Sequence, residues 1–246
     1  MGRNDSNKEL FIIPCCSTKL PGGRHLEHYS DHLQKSVSPT TYKNLLSARS
    51  EVLHSLREDS AYLTGKYLKN TKIEDGPEFG AARSKGQYLP AIERYTGTLY
   101  SQPLGFVESV RNYLGDPSKP RLLILSALYG PLDPFCLIQD YNLKMTDRPA
   151  YKTWKKHFSM FLEDYVRKLG TREIRLYLGG STGYFRVAKA AVQHLNDRQL
   201  IDRAIQYEVK NGSTYLTPYT HGRLVQAHLE GWKDVDLEKN VTPVEL

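Results

Sequence analysis

The chain has no apolar run long enough to cross a membrane, and its first residues lack the apolar centre of a signal peptide. It has only 3 Cys in 246 residues, which is an odd count and too few for the framework of a small disulfide-stapled protein. These absences predict a cytoplasmic protein in a reducing compartment, with no membrane partner.

The sequence also lacks the usual signatures of cofactor and metal binding, and it has no internal repeat or low-complexity block. The glycines of 179–183 match neither a dinucleotide-binding fingerprint nor a Walker loop, so we expect no cofactor. Candidate metal ligands cluster near the N-terminus: Cys15, Cys16, His25, His28 and His32. Adjacent cysteines are a poor match to the spacing of structural zinc sites, and we therefore expect no metal.

The composition is that of a folded, basic protein. A hydrophobic content of 39% and 17 Tyr suffice for one core, and the length fits a single domain over 1–246. We place the core at about 9–232, with a basic loop inserted at about 64–86. The net charge of +7 indicates a polyanionic partner, and the tyrosines favour nucleic acid, although many soluble enzymes are as basic.

Three short segments predict strands: Glu9–Pro14, the apolar run Leu122–Leu125, and Glu173–Leu178. Segments with helical periodicity alternate with them, at about 40–57, 88–95, 103–114, 150–169 and 184–195. Ser38 and Pro39 form a start signal for the first helix, and Gly115 an end signal for the third. The pattern predicts an α/β fold with a mixed, mostly parallel central sheet flanked by helices.

A C-terminal β-hairpin is the clearest local signal. Asn211 and Gly212 separate the alternating runs 206–210 and 214–217, which is typical of a type I′ turn. The charged tail from Asp234 onward is expected to add little to the fold.

Polar and aromatic residues crowd the segment after the central strand: Ser126, Tyr129, Gly130, Asp133 and Tyr141. In open α/β sheets, ligands bind at the carboxyl ends of the strands. Two further strands are followed by polar loops. We therefore expect one site where three loops meet.

The first of these loops contains Cys15, Ser17 and Lys19. Cys15 or Lys19 would serve as a nucleophile, whereas the alternative for the cysteine is a plain buried thiol. The third loop contains Ser181 and Tyr184 at a helix start. Its backbone would hold a phosphate or simply make a tight turn.

Several segments together resemble the YaaA family of peroxide-stress proteins and the related DUF6884-type domains. The stretch 125–134, LSALYGPLDP, is similar to the family motif LSGLYGxLRP, and 137–145, LIQDYNLKM, to its continuation LxxPYRLEM. The segments 14–21, 95–100 and 178–185 resemble further family elements in the same order. The resemblance implies an α/β fold and DNA binding.

The chain departs from the family at two positions, since Asp133 stands where the family usually has Arg and Asp140 where it has Pro. The N-terminal pattern is also similar, one residue out of register, to archaeosine synthase-like proteins, in which the corresponding lysine is reactive. That similarity implies a reactive Lys19.

These observations lead to the hypothesis of a DNA-binding enzyme that acts on a nucleobase, most simply an N-glycosylase. A flipped base would stack on Tyr100, Tyr129 or Tyr141. Asp133 or Asp140 would stabilise the oxocarbenium-like sugar or orient water, or Lys19 would attack the sugar carbon.

Basic residues outside the site are expected to contact DNA phosphates: Lys66, Arg83, Lys85 and Arg223. Two alternatives stay open. One is a non-catalytic DNA-binding protein of stress protection. The other is an enzyme that modifies a base of RNA or of a nucleotide through Lys19 or Cys15.

Overall fold

The computed structural model describes residues 9–246 except 27, 28, 30, 115, 117, 118 and 234. Its strands are β1 (Glu9–Pro14), β2 (Leu89–Pro90), β3 (Arg121–Ser126), β4 (Gly130–Leu132), β5 (Leu137–Ile138), β6 (Glu173–Leu176), β7 (Arg203–Val209) and β8 (Val241–Glu245). Its α-helices are α1 (Pro39–Glu58), α2 (Ala91–Arg94), α3 (Thr98–Ser101), α4 (Phe106–Leu114), α5 (Arg148–Leu169), α6 (Gly183–Asp197), α7 (Leu216–Glu230) and α8 (Val235–Asn240). Short 3-10 helices cover His32–Lys35, Ser60–Tyr62, Gly65–Lys72 and Pro77–Phe79.

A six-stranded sheet in the order β4-β3-β1-β6-β7-β8 forms the centre of the described structure. The inner strands β3, β1, β6 and β7 are parallel, and the edge strands β4 and β8 are antiparallel to their neighbours. All four apolar residues of 10–13 are buried, because helices cover both faces of a central parallel strand. The predicted α/β class with a mixed, mostly parallel sheet is confirmed.

The helices form two groups. In the first, α5 packs between α1 and α6. In the second, α7 packs against α3 and α4 and reaches the sheet face that carries Phe11 and Tyr177. The start signal of α1 works as predicted, since Pro39 occupies its first turn and the Ser38 hydroxyl accepts a hydrogen bond from the backbone of Thr41. The predicted end signal Gly115 lies outside the described residues.

The C-terminal antiparallel strand pair is present, but the hairpin predicted at 206–217 is wrong in its second strand. The chain does turn at Asn211, whose φ is +51°, and β7 precedes that turn. The Ser213 hydroxyl then accepts a hydrogen bond of 2.9 Å from the backbone of Leu216 and starts α7. The partner of β7 is β8, so the charged tail closes one edge of the sheet rather than being dispensable.

Two other segments differ from prediction. Residues 88–95 were expected to be helical, but they form β2 followed by the short α2, because Pro90 disfavours helix at the residue before it. The basic segment 64–86, expected as a surface loop, folds into two 3-10 helices and buries Glu78 and Phe79. The Phe79 ring stacks on Tyr129 with centroids 5.3 Å apart, so this segment belongs to the wall beside β3.

Candidate active site

The carboxyl ends of β1, β3 and β6 meet at one edge of the sheet, as parallel strands require. Cys15 directly follows β1, and its backbone N–H donates to Leu125 of β3. Its thiol shares a hydrogen bond of 3.0 Å with the Tyr184 hydroxyl in the first turn of α6. The structure thus brings together the three loops that the sequence singled out.

A buried chain of hydroxyl groups extends from this thiol. The Tyr141 hydroxyl lies 2.8 Å from Ser126 Oγ, 3.0 Å from the Tyr95 hydroxyl and 3.4 Å from Cys15 Sγ. Burial raises the pKa of Tyr141, Tyr95 and Tyr184 well above the ordinary tyrosine value. These phenols therefore stay protonated and are able to donate hydrogen bonds or pass a proton.

Lys19 lies over this network. Its side chain is only 6% exposed, its Nζ donates a 2.7 Å hydrogen bond to the Cys16 carbonyl, and Nζ is 4.0 Å from the centroid of the Tyr141 ring. A β-bridge to Tyr95 holds the Lys19 backbone in place. Burial lowers the pKa of Lys19 below its ordinary value, because a buried ammonium loses its hydration. The neutral amine is the nucleophilic form.

Two charged neighbours shift the pKa of Lys19 in opposite directions. Asp140 raises the pKa of Lys19 and Lys69 lowers it, although burial remains the largest cause of the shift. Both carboxylate oxygens of Asp140 accept hydrogen bonds of 3.0 Å from Lys69 Nζ. The ion pair is partly exposed, so water screens it and its own contribution to stability is small.

A cavity of about 790 Å³ opens beside the network. Its walls include Cys15, Tyr184, residues 179–182, Tyr207 and His221. Burial lowers the pKa of His221 to about 4, and the ring is therefore neutral at physiological pH. The volume lies in the range of sites that bind small organic molecules, and rings, thiol and hydroxyls line it.

Asp133 does not lie at this site, contrary to expectation. After β3 the chain turns back through β4, in which Leu132 pairs with Ile124, and Asp133 follows toward the amino end of β3. About three strand residues separate that level from Ser126, or roughly 10 Å. The Asp133 carboxylate accepts a 2.9 Å hydrogen bond from the backbone of Phe135, which is typical of a turn residue.

The rings expected to stack on a base belong mostly to the core. Tyr129 and Tyr141 are fully buried, and the Tyr129 hydroxyl accepts from the backbone of Gln139. Tyr100 is buried as well, and its hydroxyl donates to the Pro14 carbonyl at 2.6 Å. These three side chains pack in the core next to the site. Of the predicted tyrosines, Tyr184 lines the cavity.

The remaining predicted residues take different places. Ser181 is exposed at the cavity wall, and Ser17 is exposed on the loop before Lys19. Gly130 has a φ of +64°, and a Cβ there would collide with the Trp154 ring, so its role is close packing.

The four residues expected to contact phosphate do not share one environment. Lys66, Arg83 and Lys85 are exposed on the segment 64–86. Arg223 is half-buried on α7, with its guanidinium 4.9 Å from the Trp232 ring. The first three side chains are thus exposed to a phosphate ligand, whereas part of the Arg223 side chain packs against Trp232.

The sequence does not predict that Tyr95, Tyr207 and His221 belong to the site, and it places Lys69 only on the basic segment that is expected to contact phosphate. Lys69 meets Asp140 across 71 positions of sequence, which no local pattern signals. Tyr95 begins the family-like segment 95–100, but that resemblance implies no role for its side chain. Tyr207 and His221 reach the cavity only because α7 packs back onto β7.

Within the described ranges, no three His, Cys, Asp or Glu side chains gather closely enough to hold a metal ion. His28, one of the candidate ligands, lies outside those ranges. None of the described helices combines the length and the apolar character that crossing a bilayer requires.

Comparison with known proteins gives consistent matches. The family model described as peroxide stress protein YaaA matches residues 10–221. A UPF0246 protein of Fusobacterium nucleatum subsp. nucleatum is 33% identical over 130 residues, which are 50% of this chain and 48% of that protein. A UPF0246 protein of Lactobacillus delbrueckii subsp. bulgaricus is 30% identical over 183 residues, which are 73% of this chain and 71% of the relative. The first alignment thus spans about half of the Fusobacterium protein.

Proposed function

Because the chain belongs to the YaaA peroxide stress protein family, we propose that it acts on DNA as an N-glycosylase that uses Lys19 as its nucleophile. The target base leaves the duplex and enters the cavity beside Cys15 and Tyr184. Lys19 attacks the sugar to which that base is attached.

The observation that carries this proposal is the buried amine of Lys19. Burial lowers the pKa of Lys19, and its Nζ lies 4.0 Å from the centroid of the Tyr141 ring, whose hydroxyl contacts Cys15 at the cavity wall. A lysine used only for solubility or for an ion pair stays charged and exposed. Desolvation is one way in which a lysine amine is activated for covalent catalysis, and the carboxyl edge of a parallel sheet is where ligands bind.

The reaction balances with groups at the site. The neutral amine forms a bond to C1′ of the deoxyribose as the glycosidic bond breaks, and the base leaves with the bonding electrons. The Tyr184 hydroxyl, whose raised pKa keeps it protonated, donates a proton to the departing base. The new ammonium gives a proton to the Tyr184 phenolate. The nitrogen lone pair then expels the ring oxygen O4′, which takes a proton from Tyr184, and the sugar opens to an iminium. Water adds to the iminium, and the proton released restores Tyr184 and frees Lys19 and an abasic sugar.

Asp140 has an electrostatic role in this scheme. Positive charge develops on the sugar as the glycosidic bond breaks, and a nearby carboxylate stabilises it. Asp140 is close enough to Lys19 to raise its pKa. Asp133 is left out of the mechanism because it lies toward the other end of β3.

The choice of DNA rests on charge. The chain carries a net charge of +7, and Lys66, Arg83 and Lys85 are exposed on the wall segment 64–86. Lysine and arginine contacts to phosphates supply most of the sequence-independent affinity of DNA-binding proteins. This affinity is expected to fall steeply with salt.

The test is incubation of the protein with duplexes that carry normal, damaged or hypermodified bases, with and without borohydride. We expect a free base, detected by mass spectrometry, and a reduced covalent adduct at Lys19. Release without an adduct would assign the chemistry to water oriented by Asp140. Binding of duplex DNA without release would favour the non-catalytic alternative, and release from RNA or a nucleotide alone would favour the third hypothesis.

The pH dependence of base release provides an independent prediction. The single-turnover rate should rise with pH as Lys19 loses its proton, with a midpoint below the ordinary lysine pKa of about 10.4. Asp140 raises the pKa of Lys19 and Lys69 lowers it. The midpoint should therefore move down in Asp140→Asn and up in Lys69→Met.

Lys72→Met is the matched control for these profiles, since Lys72 is exposed on the same 3-10 helix as Lys69. It should leave the midpoint unchanged. If the wild type and the three variants had the same midpoint, the pH dependence of the rate would come from a group other than Lys19.

A further inference from the structure

An exposed apolar surface lies at the rim of the cavity. We call Leu104, Tyr215, Leu216 and Tyr219 the rim patch. Leu104 is 88% exposed and Tyr215 is 55% exposed. Single exposed apolar residues are ordinary, but an exposed leucine and an exposed aromatic ring on two segments packed together at a cavity are not.

The rim patch is held in place by specific contacts. The Ser213 hydroxyl accepts hydrogen bonds from the backbone of Tyr215 and Leu216, and the Tyr215 hydroxyl donates to Gln102 at 3.4 Å. The rings of Tyr215 and Tyr219 are nearly parallel, with an angle of 6° and centroids 6.2 Å apart. Tyr215 therefore presents a supported flat face to solvent.

Leu104 is anchored to α7, the helix that begins at Leu216. Its carbonyl accepts a 3.0 Å hydrogen bond from Gln226 of α7, and Gly105 turns the chain with a φ of +77°. The turn projects the Leu104 side chain away from the protein. The backbone of Leu104 is therefore held in place, while its side chain is exposed to solvent.

The rim patch adjoins the cavity directly. Ser213, Thr214, Thr217 and Pro218 line the cavity, so the residues on either side of Tyr215 and Leu216 face inward while these two face outward. Leu99, at the other end of the segment that carries Leu104, also lines the cavity. A nucleotide held in the cavity would therefore leave its neighbours in the strand over the rim patch.

We propose that the rim patch holds DNA open next to the extruded nucleotide, with Tyr215 stacked on an adjacent base and Leu104 filling the vacated stack. This inference rests on the proposed function. Aromatic rings stack on bases of any sequence, and apolar side chains enter base steps that are unstacked. Charge favours DNA over a protein partner, since the chain carries a net charge of +7 and Lys210 is exposed directly after β7, five residues before Tyr215.

The experiment compares binding to a fully paired duplex and to the same duplex with a tetrahydrofuran abasic analogue, by fluorescence anisotropy. The wild-type protein should prefer the opened duplex. Tyr215→Ala should lose about tenfold in affinity for it, and Leu104→Ala a smaller factor, with binding to the paired duplex unchanged. Tyr215→Phe keeps the ring and should keep the preference.

Met160→Ala is the matched control, because Met160 is an exposed apolar residue on α5, far in sequence from the patch. It should leave both affinities unchanged. An unaltered preference in Tyr215→Ala would overturn the proposal, as would absence of any preference in the wild type. A change in self-association caused by Tyr215→Ala, seen by sedimentation, would instead identify an interface between copies of the chain and would also overturn it.

The binding experiment tests the rim patch separately from the glycosylase activity. A preference that depends on Tyr215 without release of any base would support the rim patch and contradict the glycosylase. Base release together with a preference for the opened duplex that Tyr215→Ala leaves unchanged would support the glycosylase and contradict the rim patch.

Discussion

Lys19→Met is expected to abolish base release, lowering the single-turnover rate by about 1000-fold or more, as loss of a nucleophile does in other covalent enzymes. The borohydride adduct should disappear with it. Methionine keeps the length and the apolar stem of lysine but has no amine. Since Lys19 makes one hydrogen bond, to the Cys16 carbonyl, we expect the free energy of unfolding to change by only about 1 kcal/mol.

This prediction has two controls. Lys72→Met removes an exposed lysine from the neighbouring wall segment and should retain the wild-type rate. Duplex affinity, measured by anisotropy, should be nearly the same in both variants, because Lys19 is buried and contacts no phosphate before the base is flipped. Full activity in a folded Lys19→Met protein would contradict the mechanism.

Asp31→Ala is expected to have the largest effect on stability. Arg49 is fully buried and donates to the Asp31 carboxylate at 2.8 Å and to the carbonyls of Tyr129 and Pro131 at 2.9 and 3.1 Å. Removal of Asp31 leaves a buried guanidinium without the carboxylate that it directly contacts, which costs about 3–5 kcal/mol. Urea unfolding followed by circular dichroism measures this loss.

Two variants show whether the loss comes from the unpaired charge. Asp31→Leu combined with Arg49→Met removes both charges and should lose clearly less than the sum of the single changes. Asp75→Ala breaks the exposed pair with Arg57 and should cost under about 1 kcal/mol. A cost for Asp31→Ala no larger than that for Asp75→Ala would contradict the assignment.

The same carboxylate makes stability depend on pH. Burial alone would raise the pKa of Asp31, but Arg49 and hydrogen bonds from Cys136 and Leu33 outweigh it, and the pKa lies below its ordinary value. A lowered acid pKa stabilises the folded state above the ordinary value of about 3.9, and this contribution is lost as the pH falls through the folded-state pKa. Asp31→Ala should therefore flatten the loss of stability below about pH 4.

Local sequence patterns sufficed for the scaffold. β1 and β3 contain short continuous apolar runs, which fit buried parallel strands because helices cover both faces of the sheet, whereas β6 alternates charged and apolar residues. The capping signal of Ser38 and Pro39 located the start of α1, since these residues act through contacts within one helical turn. The rule that parallel strands share a carboxyl edge then placed Cys15, Ser126 and Tyr184 together.

Local patterns failed where a segment's conformation depended on distant partners. Asn211 and Gly212 do turn the chain, but the strand that pairs with β7 comes from the C-terminal tail. Asp133 lies beyond a strand in sequence, but β4 runs antiparallel and carries it away from the edge. A turn signal specifies a change of direction, not the element that follows it.

Residue order and composition alone determined the α/β class, the central strands and the edge at which their loops meet, because these depend on short-range periodicity and on the direction of parallel strands. Tertiary packing decided which side chains share the site. Lys69 beside Asp140, the burial that lowers the pKa of Lys19, and the rings of Tyr207 and His221 at the cavity all arise from contacts between distant segments. Desolvation and charge pairing depend on distances in space, which one-dimensional spacing does not encode.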